Sequence, residues 1–400
     1  MRVKFSIQKL SRDAWKFVQF QVFFSGMSSI LALFINTFLL QSFGSFSKEV
    51  FLYNIILAVV QPIAMLTAMK LTESKNALFT QRIGFVFYGT ALLVMCIFGE
   101  LISPLYPLFA VMISFGAGYY FTVYSGQMLC YTDDNNRDQI AGILSLLSSI
   151  ISIFLPLLSG LIISRFGTHA GYRVVFGIAT LLAAGALITN MYLPAIPKHK
   201  KERVLFMVAG KILGNRNGRL IMLANGLNNC NGFTLPIFVT LLFYNLLPDE
   251  LMVSLNSTIG NVVGLLGAGV YAGMVKSKDR GKASILASIA IMIPSLGMLI
   301  GLNVILLIVF NAINGFFSMF TATPILNTHF KVVEALGLRG EYGQEVHWVR
   351  EIFVSAGRVL GLLLIWAVPQ TNVGAVIVLL FLTLINLIDA FIIKIIEKDL

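Results

Sequence analysis

The stretch that decides the fold runs from Ile140 to Ser164 and reads IAGILSLLSSIISIFLPLLSGLIIS, without one charged side chain. A hydrocarbon slab about 30 Å thick needs about 20 apolar residues at 1.5 Å of rise each, and backbone groups inside it must bond within their own segment. This stretch satisfies both conditions as a helix. Similar runs fill the chain on either side. Spans are expected near 15 to 41, 49 to 71, 77 to 98, 104 to 131, 139 to 164, 172 to 194, 218 to 246, 250 to 275, 283 to 302, 304 to 327, 349 to 368 and 373 to 396.

The 400 residues are 57% hydrophobic and 12% charged, against roughly 25% charged in ordinary globular domains. Mean hydropathy is +0.86. The expected fold class is therefore all-α and polytopic, with twelve transmembrane helices. The first span is too long for a signal peptide, lacks a small-residue cleavage site and is followed at once by a second span, so it is expected to be retained.

A net charge of +11 could suggest nucleic acid, but the basic residues follow the loops. Arg2, Lys4, Lys9, Arg12 and Lys16 open the chain, and Lys198, Lys200, Lys201 and Arg203 lie midway. With both termini cytoplasmic, the outer loops hold only Lys48, Arg165 and Arg173, as the positive-inside rule requires. A plasma membrane, bacterial from its composition, is the expected location. Lipid, a small-molecule substrate and protons are the expected partners of a monomer, with no nucleic acid and no cofactor. Cys96, Cys130 and Cys230 are few, widely spaced and inside spans, so they read as packing residues.

The most polar interior segment, residues 195 to 217, leaves six spans on each side. It reads as a cytoplasmic linker between bundles at 1 to 194 and 218 to 400. A weak repeat crosses it. Asn136-Arg137-Asp138-Gln139-Ile140 opens the fifth span much as Val349-Arg350-Glu351-Ile352-Phe353 opens the eleventh. Ala68 to Lys75 after span two corresponds to Gly273 to Lys282 after span eight. Parallel six-helix repeats about a long basic linker are a known transporter plan.

On these motifs the chain resembles the major facilitator superfamily over essentially its whole length. The loop at Gly273 looks like a degenerate form of that family's signature between spans two and three, with Ser277 in the acidic place and Thr72-Glu73 in the first half. The substitution leaves the latch normally made by that acid unassigned. Pro156-Leu157-Leu158-Ser159-Gly160 partly resembles the span-five motif of exporters. Span four, Phe115-Gly116-Ala117-Gly118-Tyr119-Tyr120, lacks the arginine of many drug/proton antiporters, and span two lacks the acids of melibiose-type symporters.

Charges within hydrocarbon mark functional candidates. The densest set lies at the start of span eleven: Glu345, His347, Arg350, Glu351 and Arg358. Glu351, Ser355 and Arg358 share one helix face. Arg358 lies about 10 Å in from Glu351 by helical rise, and Asp389 in span twelve returns to a similar depth, so the two are expected to pair. Two readings stand for this group with Arg137 and Asp138: a gate or proton relay with Glu351 or Asp389 as the protonatable member, or a static ion-pair network. Arg82 reads as an interfacial, snorkelling residue. Glu100, Asp249 and Glu250 read as solvated outer residues.

Amides give a second signal. Asn225, Asn228, Asn229 and Asn231 fall in span seven, Asn311 and Asn314 in span ten, and Gln19, Gln21 and Asn36 in span one. The resemblance implies that spans one, four, seven and ten line a central cavity. Asn225, Asn228, Asn229, Asn311, Asn314, Gln21 and Asn36, with Tyr119, Tyr120, Tyr124 and Gln127 of span four, are then candidate substrate ligands. Interhelical hydrogen bonding is the alternative role for the same residues. No phosphate loop, metal spacing or ATPase-sized soluble part supports an enzyme. The expected function is secondary active transport of a small polar or amphipathic molecule by alternating access, proton-coupled, with a lean toward export. A nutrient uptake symporter, or a non-transporting receptor or assembly protein on the same shell, is the alternative.

Overall fold

The computed structural model describes residues 11–44, 47–99, 102–131, 137–196, 204–276, 279–338, 342–368 and 371–399. They form thirteen helices: α1 (Arg12–Phe43), α2 (Lys48–Ser74), α3 (Ala77–Ile97), α4 (Ile102–Cys130), α5 (Arg137–Phe166), α6 (Thr168–Met191), α7 (Leu205–Gly214), α8 (Arg216–Leu246), α9 (Glu250–Met274), α10 (Arg280–Gly297), α11 (Val304–Ala335), α12 (Gly343–Ala367) and α13 (Asn372–Asp399). Strands are absent among the described residues. All except α7 coincide with an expected span. The side chains of Arg137 and Asp138, the Lys198 to Arg203 run, Glu100 and Ser277 lie outside the described residues.

Within residues 195 to 217, the expected linker, the structure forms the short helix α7. Its flanking cations hid a ten-residue apolar run, and Val208 and Ile212 of that run are fully buried. Among the described residues, nine helices are long and apolar enough to cross a membrane. The three other long helices, α8, α10 and α12, are those whose apolar runs are broken by amides, serines or charges.

Short polar residues start many of these helices by occupying otherwise unpaired N–H groups. Ser11 Oγ accepts from the Ala14 amide at 3.1 Å, Asn76 Oδ1 from Phe79 at 2.7 Å, Asn215 Oδ1 from Gly218 at 3.1 Å, and Asn303 Oδ1 from Leu306 at 2.9 Å. Gly44 ends α1 with φ 87°, a left-handed conformation that favours glycine.

In lipid, apolar contact gives no preference between helix and acyl chain, so close packing relies on small residues. A Cβ placed on Gly118 of α4 would stand 2.7 Å from the Ala64 Cβ of α2. Helices α1 to α6 pack chiefly on one another, as do α8 to α13. Two broad seams join the groups, one between α5 and α9 and one between α2 and α12. Large side chains such as Phe154 and Leu181 remain exposed on the outer surface, as lipid contact requires. Arg216 at the start of α8 pairs with Asp399 at the end of α13 at 3.1 Å, and Phe17 near the start of α1 packs on Tyr131 after α4. These contacts define a terminal end of the bundle.

Candidate functional site

Helix α12 carries charge into the bundle and each charge has a defined neighbour. Arg358 Nη1 donates to Glu351 Oε1 at 3.0 Å and to Gln61 Oε1 of α2 at 3.1 Å. Its guanidinium lies over the Phe233 ring of α8, 5.1 Å from the centroid, within cation–π range. The Arg358 side chain is 16% exposed and that of Glu351 6%. Nearer the start of the helix, Trp348 Nε1 donates to the Pro62 carbonyl at 3.0 Å. One helix thus ties itself to α2 of the other group by a guanidinium and an indole.

The adjacent face of α12 points into its own group. Arg350 Nε donates to Asn225 Oδ1 of α8 at 2.6 Å. The Asn225 amide nitrogen in turn donates to the Ile221 carbonyl at 2.7 Å and lies 3.4 Å from His329 Nδ1 of α11. The close approach of α8 and α12 makes this possible: a Cβ on Gly226 would lie 2.9 Å from the Phe353 carbonyl. Two arginines therefore join α2, α8, α11 and α12 in one polar layer. Pairing and hydrogen bonding are what make such burial tolerable.

The expected Arg358–Asp389 pair is not formed. Arg358 is engaged by Glu351 and Gln61, and both Asp389 oxygens are buried without a hydrogen-bond partner among the described residues. Helical rise gives an expected depth for each residue and says nothing of its azimuth. Helix α13 packs mainly on α8 and α10, which turns Asp389 away from α12. One turn along, Asn386 Oδ1 accepts from Asn231 Nδ2 at 2.7 Å, and Cys230 lies near enough to Asp389 to feel its charge.

The expected cavity ligands divide. Tyr119 faces α3, with Phe87 at 6.1 Å, and Gln127 makes a reciprocal amide pair with Gln81 at 2.6 and 3.0 Å. Asn36 accepts from Asn54 of α2 at 2.8 Å. Asn311 Nδ2 donates to the Asn256 carbonyl of α9 at 2.7 Å. The Tyr120 hydroxyl donates to Gln21 Oε1, while its ring stacks on Phe24 and Tyr124. Asn229 Nδ2 donates back to the Asn225 carbonyl at 3.0 Å. Asn228, Asn314 and Tyr124 stay half-buried. Most of these groups hold helices together, and few stay open to a ligand.

Other polar groups also found partners. Arg82 does not snorkel: its Nε donates to Asn190 Oδ1 at 3.0 Å, extending the Gln81–Gln127 network into α6. Asp249 caps α9, but Glu250 is largely buried and accepts the Tyr244 hydroxyl at 3.4 Å, contrary to the solvated reading. Gly160 of the exporter-like fragment packs on Ser254, a contact that demands a small residue. Gln61, Trp348 and His329 were missed as members of the α12 layer. Gln61 stands in the sequence as an amide within an apolar run, and His329 as a lone imidazole in α11. No group of three or more metal-ligating side chains occurs among the described residues.

Comparison with known proteins places this arrangement. An uncharacterized protein of Bacillus subtilis (strain 168), YqgE, is 22% identical over 348 residues, covering 85% of this chain and 80% of its own. The fold is similar to the crystal structure of the POT family transporter PepTSo, with a TM-score of 0.71, 12% identity and 98% and 99% of the two chains covered. It is similar also to the nucleoside transporter NupG, with a TM-score of 0.68, 11% identity and 97% and 100% coverage. The model of the Major Facilitator Superfamily matches residues 9–340. A bundle of long helices in two groups, joined through a charged seam and matched by that model over most of its length, belongs to the Major Facilitator Superfamily and is a membrane transporter, not an enzyme.

Proposed function

We propose that the protein is a proton-coupled secondary transporter that moves a small polar or amphipathic molecule by alternating access. The observation that carries this reading is Arg358, which holds Glu351 of its own helix and Gln61 of the opposite group at once. A contact built this way changes when either partner's charge changes, so it can link a chemical event to separation of α2 from α12. Asp389 supplies a second carboxyl, buried and without a hydrogen-bond partner among the described residues; uptake of a proton removes the large cost of burying that charge.

In this reading residues 1–194 and 218–400 rock as two bodies joined by 195–217, and Arg137 and Asp138 at the start of α5 mirror Arg350 and Glu351. The protein works as a monomer in the plasma membrane, with the terminal end cytoplasmic. The positive-inside pattern supports that orientation. Half-buried Asn228, Asn314 and Tyr124 line the substrate path.

Reconstitution in proteoliposomes with an internal pH dye, screened with pooled metabolites and dyes, tests the proposal. Ligand-dependent proton movement is expected, and it is lost in Glu351→Gln or Asp389→Asn. Unchanged coupling in both variants overturns the assignment of the acids.

A further inference from the structure

Two donors on α12 point into the polar layer without a partner. Ser355 Oγ is buried and makes no hydrogen bond among the described residues, not even to the carbonyl one turn back that helical serines commonly use. Arg358 Nε is buried and unpartnered too, while Nη1 of the same guanidinium holds Glu351 and Gln61. The two residues are three apart, so they lie on one helix face, one turn from each other. A hydroxyl and a guanidinium N–H so placed are complementary to the two oxygens of one carboxylate.

The charges around them point the same way. The electrostatic neighbours of Glu351 are Arg358 and Arg350, and those of Arg350 are Glu351 and Arg358. Two guanidiniums thus face one carboxylate, and the amides Gln61 and Asn225 contribute no charge. His347 and His329 lie against Arg350 and add no anion. Glu345 lies in the first turn of α12, about two turns before Glu351 on the helix, and Asp389 is turned to α8 and α10. An excess of one positive charge inside a membrane protein is costly unless balanced. A monoanion balances it; a dianion overshoots.

We propose that Arg358 and Ser355 form the anchor of the substrate site, and that the transported molecule carries a single carboxylate. Resting on the transport reading above, this names the chemical class of its substrate. Phe233 beneath the guanidinium walls one side of the anchor with an apolar ring, which suits a carboxylate attached to an apolar body.

The test is ligand-induced thermal stabilisation of the purified full-length chain in detergent, which needs no transport and no proton gradient. Benzoate and hexanoate are compared with benzamide, hexanamide and phenyl phosphate. Each carboxylate is expected to bind about tenfold or more tighter than its amide, a charge-assisted bond being worth at least that. Ser355→Ala leaves the Arg358–Glu351 pair in place and is expected to lose several-fold of the carboxylate preference. Glu351→Gln raises the local excess by one charge and is expected to shift preference toward phenyl phosphate, a change that a purely structural ion pair would not produce. Equal response to acids and amides, preference of the unaltered chain for phenyl phosphate, or a carboxylate response untouched by Ser355→Ala overturns the inference. Carboxylate binding with no proton movement in liposomes refutes the coupling and leaves the anchor standing; proton coupling without carboxylate preference does the reverse.

Discussion

The two seams between the helix groups are built from opposite chemistry. Between α5 and α9 the contacts are neutral and short: Asn261 Nδ2 donates to the Ser152 carbonyl at 2.8 Å, Thr258 Oγ1 to the Ile153 carbonyl at 3.3 Å, and Gly160 admits Ser254. Between α2 and α12 the contacts come from a guanidinium and an indole, and the guanidinium is shared with a carboxylate. A seam of small residues is sensitive to shape and indifferent to charge. A seam made by a shared arginine loses its hold when a proton or anion alters the charge beside it. The first suits a standing contact about which the groups pivot, and the second suits a contact that opens.

The largest effect expected from that contrast follows loss of the arginine. Arg358→Gln takes away the countercharge hydrogen-bonded to Glu351 and leaves Arg350 as its remaining cationic neighbour, which costs up to about 3–5 kcal/mol. Replacing Glu351 by Gln in the same chain removes the orphan, so the double variant is expected to recover most of the loss. Denaturant unfolding in detergent, followed by circular dichroism, measures both. If the two single losses simply add, the pair has no coupling and the α2·α12 seam is no more charge-dependent than its counterpart.

The neutral seam is broken by volume instead. A Cβ on Gly160 would stand 2.8 Å from the Ser254 Cβ and 3.1 Å from the Glu250 carbonyl. Gly160→Ala is expected to destabilise by about 1–3 kcal/mol through overpacking. Adding Ser254→Gly should restore stability, because it vacates the space the new methyl needs. Thermal unfolding of the three variants decides this, and no dependence on added carboxylate or on pH is expected. A Gly160→Ala effect that vanished when charge was altered would erase the distinction between the seams.

What could be read from the sequence divides along a physical line. Apolar length fixed where the long helices run, because a helix in lipid must match the slab whatever its neighbours do. It did not fix rotation. Arg358 and Asp389 are expected at a common depth, yet they miss one another because α13 lies on α8 and α10. Tyr119 and Gln127 were placed on a lining helix, but the faces they occupy meet α3. Low amphipathicity explains this. When both lipid and core are apolar, the pattern along a span carries little information about which side faces in. The charged start of α12 was legible because charge is scarce in spans. Gln61 and His329 were not, because each is a single polar residue whose partner lies on another helix. Helix α7 was hidden by the cations around it.

The smallest effect compares one hydrogen bond from each seam. Trp348→Phe removes the indole N–H from the Pro62 carbonyl and keeps an aromatic ring in place. Asn261→Leu removes the donor to the Ser152 carbonyl at similar volume. Either change is expected to lower stability by about 1 kcal/mol, the ordinary net worth of such a bond. Stability alone therefore does not separate them, and transport does. In the proposed cycle the Trp348 contact breaks, so Trp348→Phe is expected to change the balance between open and closed forms and to alter the transport rate by a few-fold. In the same proposed cycle the Asn261 contact persists, so with Asn261→Leu the rate should stay near that of the unaltered chain. Proteoliposome flux measured beside unfolding for both variants settles the matter, and equal rate changes would mean that the two seams open and close together.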